Sequence, residues 1–269
     1  MRWEPEAEKL LNRVPFFVRG KVRKKIEGLA RERGQELVSK ALVLEAKSLF
    51  RDKSAEIKEG FSVEACFGSS GCPNAVTESS SLLDKLEALL KEEDLTSFLR
   101  EKVGGPLKHH HQFRVAVSDC PNACAQVHIK DFGLLGHVEP LLNGECKLCG
   151  SCVQQCQEQA VELGERFVLF DPVRCLGCGA CLKVCPTGAL VPGRVGYRVL
   201  VGGKLGRHPQ LAYELVPWAS PEEVVRLLKR VISFYKLYNQ RGERLGEIIS
   251  QQGWAKFKTY VLGDEGDNL

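Results

Sequence analysis

The chain has 269 residues, 43% of them hydrophobic and 27% charged, with 38 basic against 34 acidic side chains. This length and composition describe an ordinary folded protein with a sizeable core, arranged as one large domain or two to three small ones. A net charge of +4 points to no nucleic-acid partner, and no apolar run approaches the length of a bilayer span, so no membrane contact is expected. The opening Met1-Arg2-Trp3-Glu4-Pro5-Glu6 lacks a signal-peptide apolar region. The expected location is therefore the cytoplasm, where thiols stay reduced and cysteines bind metal more often than they pair.

Residues 1–50 read as helical. Val18, Val22, Ile26 and Leu29 fall close to helical spacing between Val14 and Arg33, with Pro15 where a new helix begins and Gly34 as a stop. The basic residues from Arg19 to Arg33 read as a solvated helix face. Ala41 to Phe50 forms one more short helix. Residues 61–76, rich in Gly, Ser and Cys, read as a loop around a ligand. Leu82, Leu86, Leu89, Leu90, Leu95 and Leu99 predict one helix from Ser79 to Lys102, ended by Gly104-Gly105-Pro106.

Alternation at Phe113, Val115 and Val117 predicts a strand over 112–118 that runs into Cys120. Further strands are expected at 166–170 and 196–201. Ser220-Pro221-Glu222-Glu223 is a capping box that starts a helix to about Asn239. A last short helix is expected over 243–252, with Gly253 beyond it.

Twelve cysteines fall into three groups of four. Cys146, Cys149, Cys152 and Cys156 form a C-x2-C-x2-C-x3-C run. Cys175, Cys178, Cys181 and Cys185 repeat it, followed by Pro186. Cys66, Cys72, Cys120 and Cys124 are spaced C-x5-C and C-x3-C. Three sets of four thiolates is the stoichiometry of three [4Fe–4S] clusters.

Residues 144–190 resemble a bacterial-type two-cluster ferredoxin. The resemblance implies that the fourth cysteine of each run crosses to the other cluster. Cys146, Cys149, Cys152 and Cys185 then hold one cluster, and Cys175, Cys178, Cys181 and Cys156 the other. Gln157 stands where that family usually has proline after the last cysteine.

The third set, in Glu64-Ala65-Cys66-Phe67-Gly68-Ser69-Ser70-Gly71-Cys72-Pro73-Asn74-Ala75 and Asp119-Cys120-Pro121-Asn122-Ala123-Cys124, resembles the siroheme and [4Fe–4S] site of sulfite and nitrite reductases. Lys130-Asp131-Phe132-Gly133-Leu134-Leu135-Gly136 and Val201-Gly202-Gly203-Lys204-Leu205-Gly206-Arg207-His208-Pro209 continue the likeness. It implies an α+β fold: a siroheme half-domain, 51–143 and 191–269, with the ferredoxin pair inserted at 144–190. It also implies that Cys124 bridges the cluster and the siroheme iron. Gly202, Gly203, Lys204 and Arg207 would supply N–H donors and cations to the carboxylates of siroheme. Six-electron reduction of sulfite or nitrite is the implied chemistry.

Substrate-binding cations in that family include a Lys-x-Lys pair before the cysteines. Here the stretch is Gln112-Phe113-Arg114, so Arg114 is the candidate, with Lys130 a second cation that is as readily structural. Lys108, His109, His110 and His111 lie just upstream and read as proton or charge donors or as a solvated loop. Asp119 replaces the usual glycine and is expected to repel an anion. The chain matches one half of a full-length enzyme, so the implied partners are a redox donor protein and a second chain, identical or not. An electron-transfer subunit without siroheme stays open as the alternative.

Within residues 1–50, Trp3, Glu6-Ala7, Leu10, Arg13-Val14-Pro15, Phe17-Val18-Arg19, Arg23, Glu27 and Ala30 resemble the C-terminal helical domain of the light-independent protochlorophyllide reductase B subunit. The resemblance implies an interaction or closure module near a redox site.

Overall fold

The computed structural model describes residues 1–55 and 57–263. The chain divides into two compact units, Met1–Ile57 and Lys58–Leu269. No helix among the described residues is long and apolar enough to cross a membrane.

The first unit pairs strand β1 (Arg2–Trp3) in parallel with β2 (Leu37–Val38) and packs α1 (Pro5–Asn12), α2 (Phe16–Glu32) and α3 (Lys40–Ala55) around them. Pro15 is the N-cap of α2, as its fixed φ favours, and Gly34 follows the helix in the left-handed region at φ 67°. Ala7, Ile26, Ala30, Leu42 and Ala46 form the core; the alanines let the helices approach closely. Trp3 packs on this core and its Nε1 donates to Glu27 Oε1 at 3.0 Å, while the Arg23 guanidinium sits 5.1 Å from its ring centroid.

The second unit is built on a sheet in the order β3-β4-β5-β8-β9, from β3 (Phe61–Ala65), β4 (Phe113–Ser118), β5 (Phe132–Leu142), β8 (Leu190–Val201) and β9 (Tyr213–Ala219). β3, β4 and β5 run parallel, whereas β5–β8 and β8–β9 are antiparallel. One face of β4 carries Phe113, Val115 and Val117 into the core, where Phe113 meets Tyr235 at 5.1 Å between ring centroids. The other face carries Ala116, which packs with Val127, Leu135 and Leu200. Helices cover the first face, and the loop after Cys124 covers part of the second.

The helix expected over 79–102 is two helices, α4 (Ser80–Glu92) and α5 (Leu95–Val103). Asp94 breaks the run at φ 43°, and its carboxylate accepts from Ser97 N at 3.3 Å to cap the second helix. The capping box at Ser220 and Glu223 is present and opens α8 (Pro221–Tyr238). Beyond α9 (Leu245–Gln252) and Gly253 the chain forms α10 (Trp254–Leu262), which the sequence pattern did not announce. The loop expected over 61–76 begins instead with β3, and β8 extends the strand expected at 196–201 back to Leu190. Residues 56 and 264–269 of the expected half-domain lie outside the described residues.

The two longest strands, β5 and β8, are paired from Phe132↔Val201 out to Leu142↔Leu190, and residues 143–189 hang from their tips. That segment holds α6 (Ser151–Gln155), a hairpin of β6 (Val161–Leu163) and β7 (Val168–Phe170), and α7 (Ala180–Lys183). Its internal repeat is visible in the backbone. Leu148 at φ 52° matches Gly177 at φ 68°, and Gln159 at φ 52° matches Gly188 at φ 66°. A non-glycine residue in that region costs about 1–2 kcal/mol. Gln159→Gly is therefore expected to raise the thermal midpoint of the intact protein by about 2–4 °C, from roughly 1 kcal/mol of relieved strain. A lowered midpoint in a melting curve would contradict it.

Candidate iron–sulfur and anion site

The rare-spaced cysteines meet because β3 and β4 are parallel neighbours with Ala65 opposite Val117, and Cys66 N donates to Val117 O at 3.0 Å. Cys66 and Cys120 thus leave the carboxyl ends of adjacent strands, where open sheets present their sites. Cys66 Sγ accepts N–H bonds from Gly68 (3.2 Å) and Asp119 (3.3 Å). Burial pushes the Cys120 thiol up, and Cys124, Cys66 and Cys72 each add to the shift. Within this set Cys120 is buried, Cys66 and Cys72 are half-buried, and Cys124 is exposed. Ala123, at φ 54°, turns the chain sharply just before Cys124.

The insert brings its eight cysteines to two cavities. Cys146, Cys149, Cys152 and Cys185 line one. Cys156, Cys175, Cys178 and Cys181 line another. Each cavity thus takes three cysteines from one run and the fourth from the other. Burial raises the Cys152 and Cys175 thiols and pushes Cys181 up to about 12. A thiolate so desolvated needs a Lewis acid in place of its proton, and iron is such a partner. A hydroxyl hydrogen bond from Ser151 lowers Cys149, and the Leu190 N–H does the same for Cys185. Among the described residues no His, Cys, Asp or Glu group gathers closely enough for a single metal ion; a four-iron cage holds its sulfurs farther apart.

Asp119 does not face an incoming anion. Its carboxylate is buried, where Oδ1 accepts from Thr77 Oγ1 at 3.0 Å and Oδ2 from Ser79 Oγ at 3.1 Å. Gly68 and Gly136 make the room: a Cβ on either would stand 2.4–2.5 Å from Asp119 atoms. The expected repulsion is replaced by an internal anchor.

Gly202 and Gly203 are also committed. Gly202 N donates to Asp131 O and Gly203 N to Lys130 O, at 2.9 and 2.8 Å. Neither N–H is free for a bound carboxylate, contrary to the sequence expectation. Gly202 takes φ 79°, and a Cβ on Gly203 would lie 2.4 Å from His128 O. Their role is close packing, which ties the Lys204 loop to the segment after Cys124.

Lys204 is buried and pairs with Glu247 at 2.7 Å; Lys130 is buried and pairs with Glu64 at 2.6 Å. Both partner carboxylates are 42–49% exposed, so each pair has one side open to exchange with another anion. Arg207 is exposed. Arg114 lies on β4, donating from Nη2 to His109 O at 2.7 Å. Gln112 Nε2 donates to Phe61 O at 3.0 Å and so closes the start of β3. The histidine run forms a turn, with His111 Nδ1 accepting from Lys108 N at 3.2 Å; burial lowers His111.

Sequence reading missed the buried pair beneath this site. Asp131, fully buried, accepts from Arg244 Nε at 2.9 Å and Nη2 at 2.7 Å, and from the Arg114 and Leu245 amides at 2.8 and 3.1 Å. Burial pulls Arg244 down, but the charge and hydrogen bonds of Asp131, with Tyr235 and Glu247, together outweigh it and hold the guanidinium above its ordinary value. One carboxylate thereby ties β4, the Lys130 loop and the start of α9. Arg244 carries no sequence signal beyond standing before a helix.

Four-cysteine groups seated in cavities and at strand ends define an iron–sulfur protein. The chain belongs to the nitrite and sulphite reductase 4Fe-4S domain family, whose model matches residues 59–268. The model of the proto-chlorophyllide reductase 57 kD subunit matches residues 3–47. The coenzyme F420-dependent sulfite reductase of Methanocaldococcus jannaschii is 29% identical over 197 residues, which is 72% of this chain and 29% of that protein. The light-independent protochlorophyllide reductase B subunit of Heliobacterium modesticaldum is 49% identical over 53 residues, 20% of this chain and 10% of that protein. The crystal structure of dissimilatory sulfite reductase I superposes with a TM-score of 0.56 at 18% identity, covering 84% of this chain and 59% of that one. The α+β fold and the resemblances to the sulfite and nitrite reductases and to the protochlorophyllide reductase B subunit are borne out. The chain spans less than a third of the length of these two curated relatives.

Proposed function

We propose that the chain is a siroheme-dependent oxidoreductase subunit of the sulfite/nitrite reductase class, carrying three [4Fe–4S] clusters. The observation that carries this reading is Cys124: alone in its set it is exposed, on the segment bonded to the Lys204 loop. When bound, the clusters supply single electrons and siroheme an iron at which a small oxyanion is reduced. The donor set fits: Cys124 offers an outward sulfur, Lys204 and Arg207 offer cations to carboxylates, and Arg114 and Lys130 offer charge to sulfite or nitrite. Cys66, Cys72 and Cys120 hold the third cluster from within. The insert's two cysteine groups hold the relay, fed by a redox donor protein, and a second chain completes the anion pocket. Residues 1–50 act as an interaction or closure module in a cytoplasmic complex.

A second reading is favoured by Glu64 and Glu247, which already neutralise two of the proposed cations. In it the chain is an iron–sulfur electron-transfer subunit without siroheme. Anaerobic purification from a siroheme-making host separates the two. About twelve irons with an extractable tetrapyrrole are expected; iron without tetrapyrrole would remove the first reading and leave the second.

A further inference from the structure

The insert and the third cysteine group share a cleft. The cleft is lined by Asn74, Cys120 and Asn122 on one wall and by Cys156, Gln157 and Cys178 on the other. The cavity holding Cys146, Cys149, Cys152 and Cys185 is lined by insert residues alone, apart from Leu190 at the foot of β8. The two insert sites are therefore not equivalent: one is inner and the other outer. Gln157, the departure from the ferredoxin pattern, lies on the seam itself.

Two contacts fix that seam. Lys183, at the end of α7 between Cys181 and Cys185, is exposed along its side chain and donates from Nζ to Pro73 O, next to Cys72. At the other end of α7, a Cβ on Gly179 would lie 3.2 Å from Val76 Cγ1, so the helix start is seated directly on the loop of the third group. Lys183 crosses 110 residues of sequence to make its bond. Nothing in its own helix needs it there, and a carbonyl beside a cluster cysteine is an unusual destination for an exposed lysine, which is ordinarily solvated.

We propose that Lys183 is a positioning residue that clamps the inner cysteine group, Cys156, Cys175, Cys178 and Cys181, against the Cys72–Val76 loop, making the inner group the exit of the relay and the outer group its entrance. The proposal rests on the reading that all three groups hold clusters, but not on siroheme. With clusters bound, a one-electron step would oxidise the inner group's cluster by one and reduce the third group's cluster by one, with no bond broken and no proton moved. The clamp sets the separation across which that step takes place.

The test uses the cluster-loaded full chain with Lys183→Met, which keeps length and loses the donor, and Lys183→Arg, which keeps a charged donor. Hydrogen exchange over residues 74–77 is expected to rise about tenfold in Lys183→Met, the change expected from losing one charge-assisted hydrogen bond. Magnetic splitting between reduced clusters in the electron paramagnetic resonance spectrum is expected to weaken, at unchanged iron content, and Lys183→Arg to restore both. Exchange and splitting equal to the parent in Lys183→Met would overturn the clamp, as would a loss of iron shared by both variants. A chain that lacks tetrapyrrole yet shows the Lys183→Met effect would refute siroheme binding and keep this inference.

Discussion

Arg244→Met is expected to cost about 3–5 kcal/mol, the penalty of leaving a buried carboxylate without its cation. Asp131 then keeps only the Arg114 and Leu245 amides as donors, inside a core where it has no exposure. For a unit of this size the loss corresponds to a fall in thermal midpoint on the order of 10 °C. The loss also reaches the site, since Asp131 and Lys130 carbonyls hold Gly202 and Gly203 in place. Differential scanning calorimetry of the iron-loaded protein checks this. A double variant, Asp131→Leu with Arg244→Met, is expected to recover much of the loss, because it removes both charges together. A single variant within about 1 kcal/mol of the parent would show that the pair contributes little.

On the proposed reading of three clusters and siroheme, Cys124→Ser is expected to abolish tetrapyrrole binding and to destabilise the third cluster, leaving about eight of about twelve irons on the insert. A serine oxygen has the right size but is a harder, far less acidic ligand than a thiolate, and a poor match to iron in a cluster. Cys124 makes its contribution from an exposed turn, so the protein itself is expected to fold normally. Iron analysis and the visible spectrum of the anaerobic protein read both effects. An unchanged tetrapyrrole spectrum would show that Cys124 is not the bridge.

Legibility in the sequence followed the distance over which each feature is encoded. The two ferredoxin runs were readable as runs, because each spacing lies within a dozen residues and the repeat declares itself; their crossed grouping was implied by the resemblance to two-cluster ferredoxins. The third set was readable as a set. Its assembly was not, since it depends on β3, a five-residue strand masked by a glycine- and serine-rich context, lying parallel to β4 from 48 residues further on. The cation pocket was the least legible part. Lys130–Glu64, Lys204–Glu247 and Arg244–Asp131 join residues 66, 43 and 113 positions apart. A lysine chosen as a free cation from its neighbours carries no mark of a distant carboxylate. Asp119 misled for the same reason: its charge is real, but Thr77 and Ser79 absorb it from another element.

The pairing of Leu142 with Leu190 brings the two ends of the insert together at the tips of β5 and β8. Asn143-Gly144 follows Leu142 directly. Asn-Gly is the dipeptide most favoured in a two-residue hairpin turn. Splicing Gly144 to Leu190 would therefore close the host sheet with a turn the chain already carries. Residues 145–189 thus enter and leave the sheet at a single point, between the paired Leu142 and Leu190.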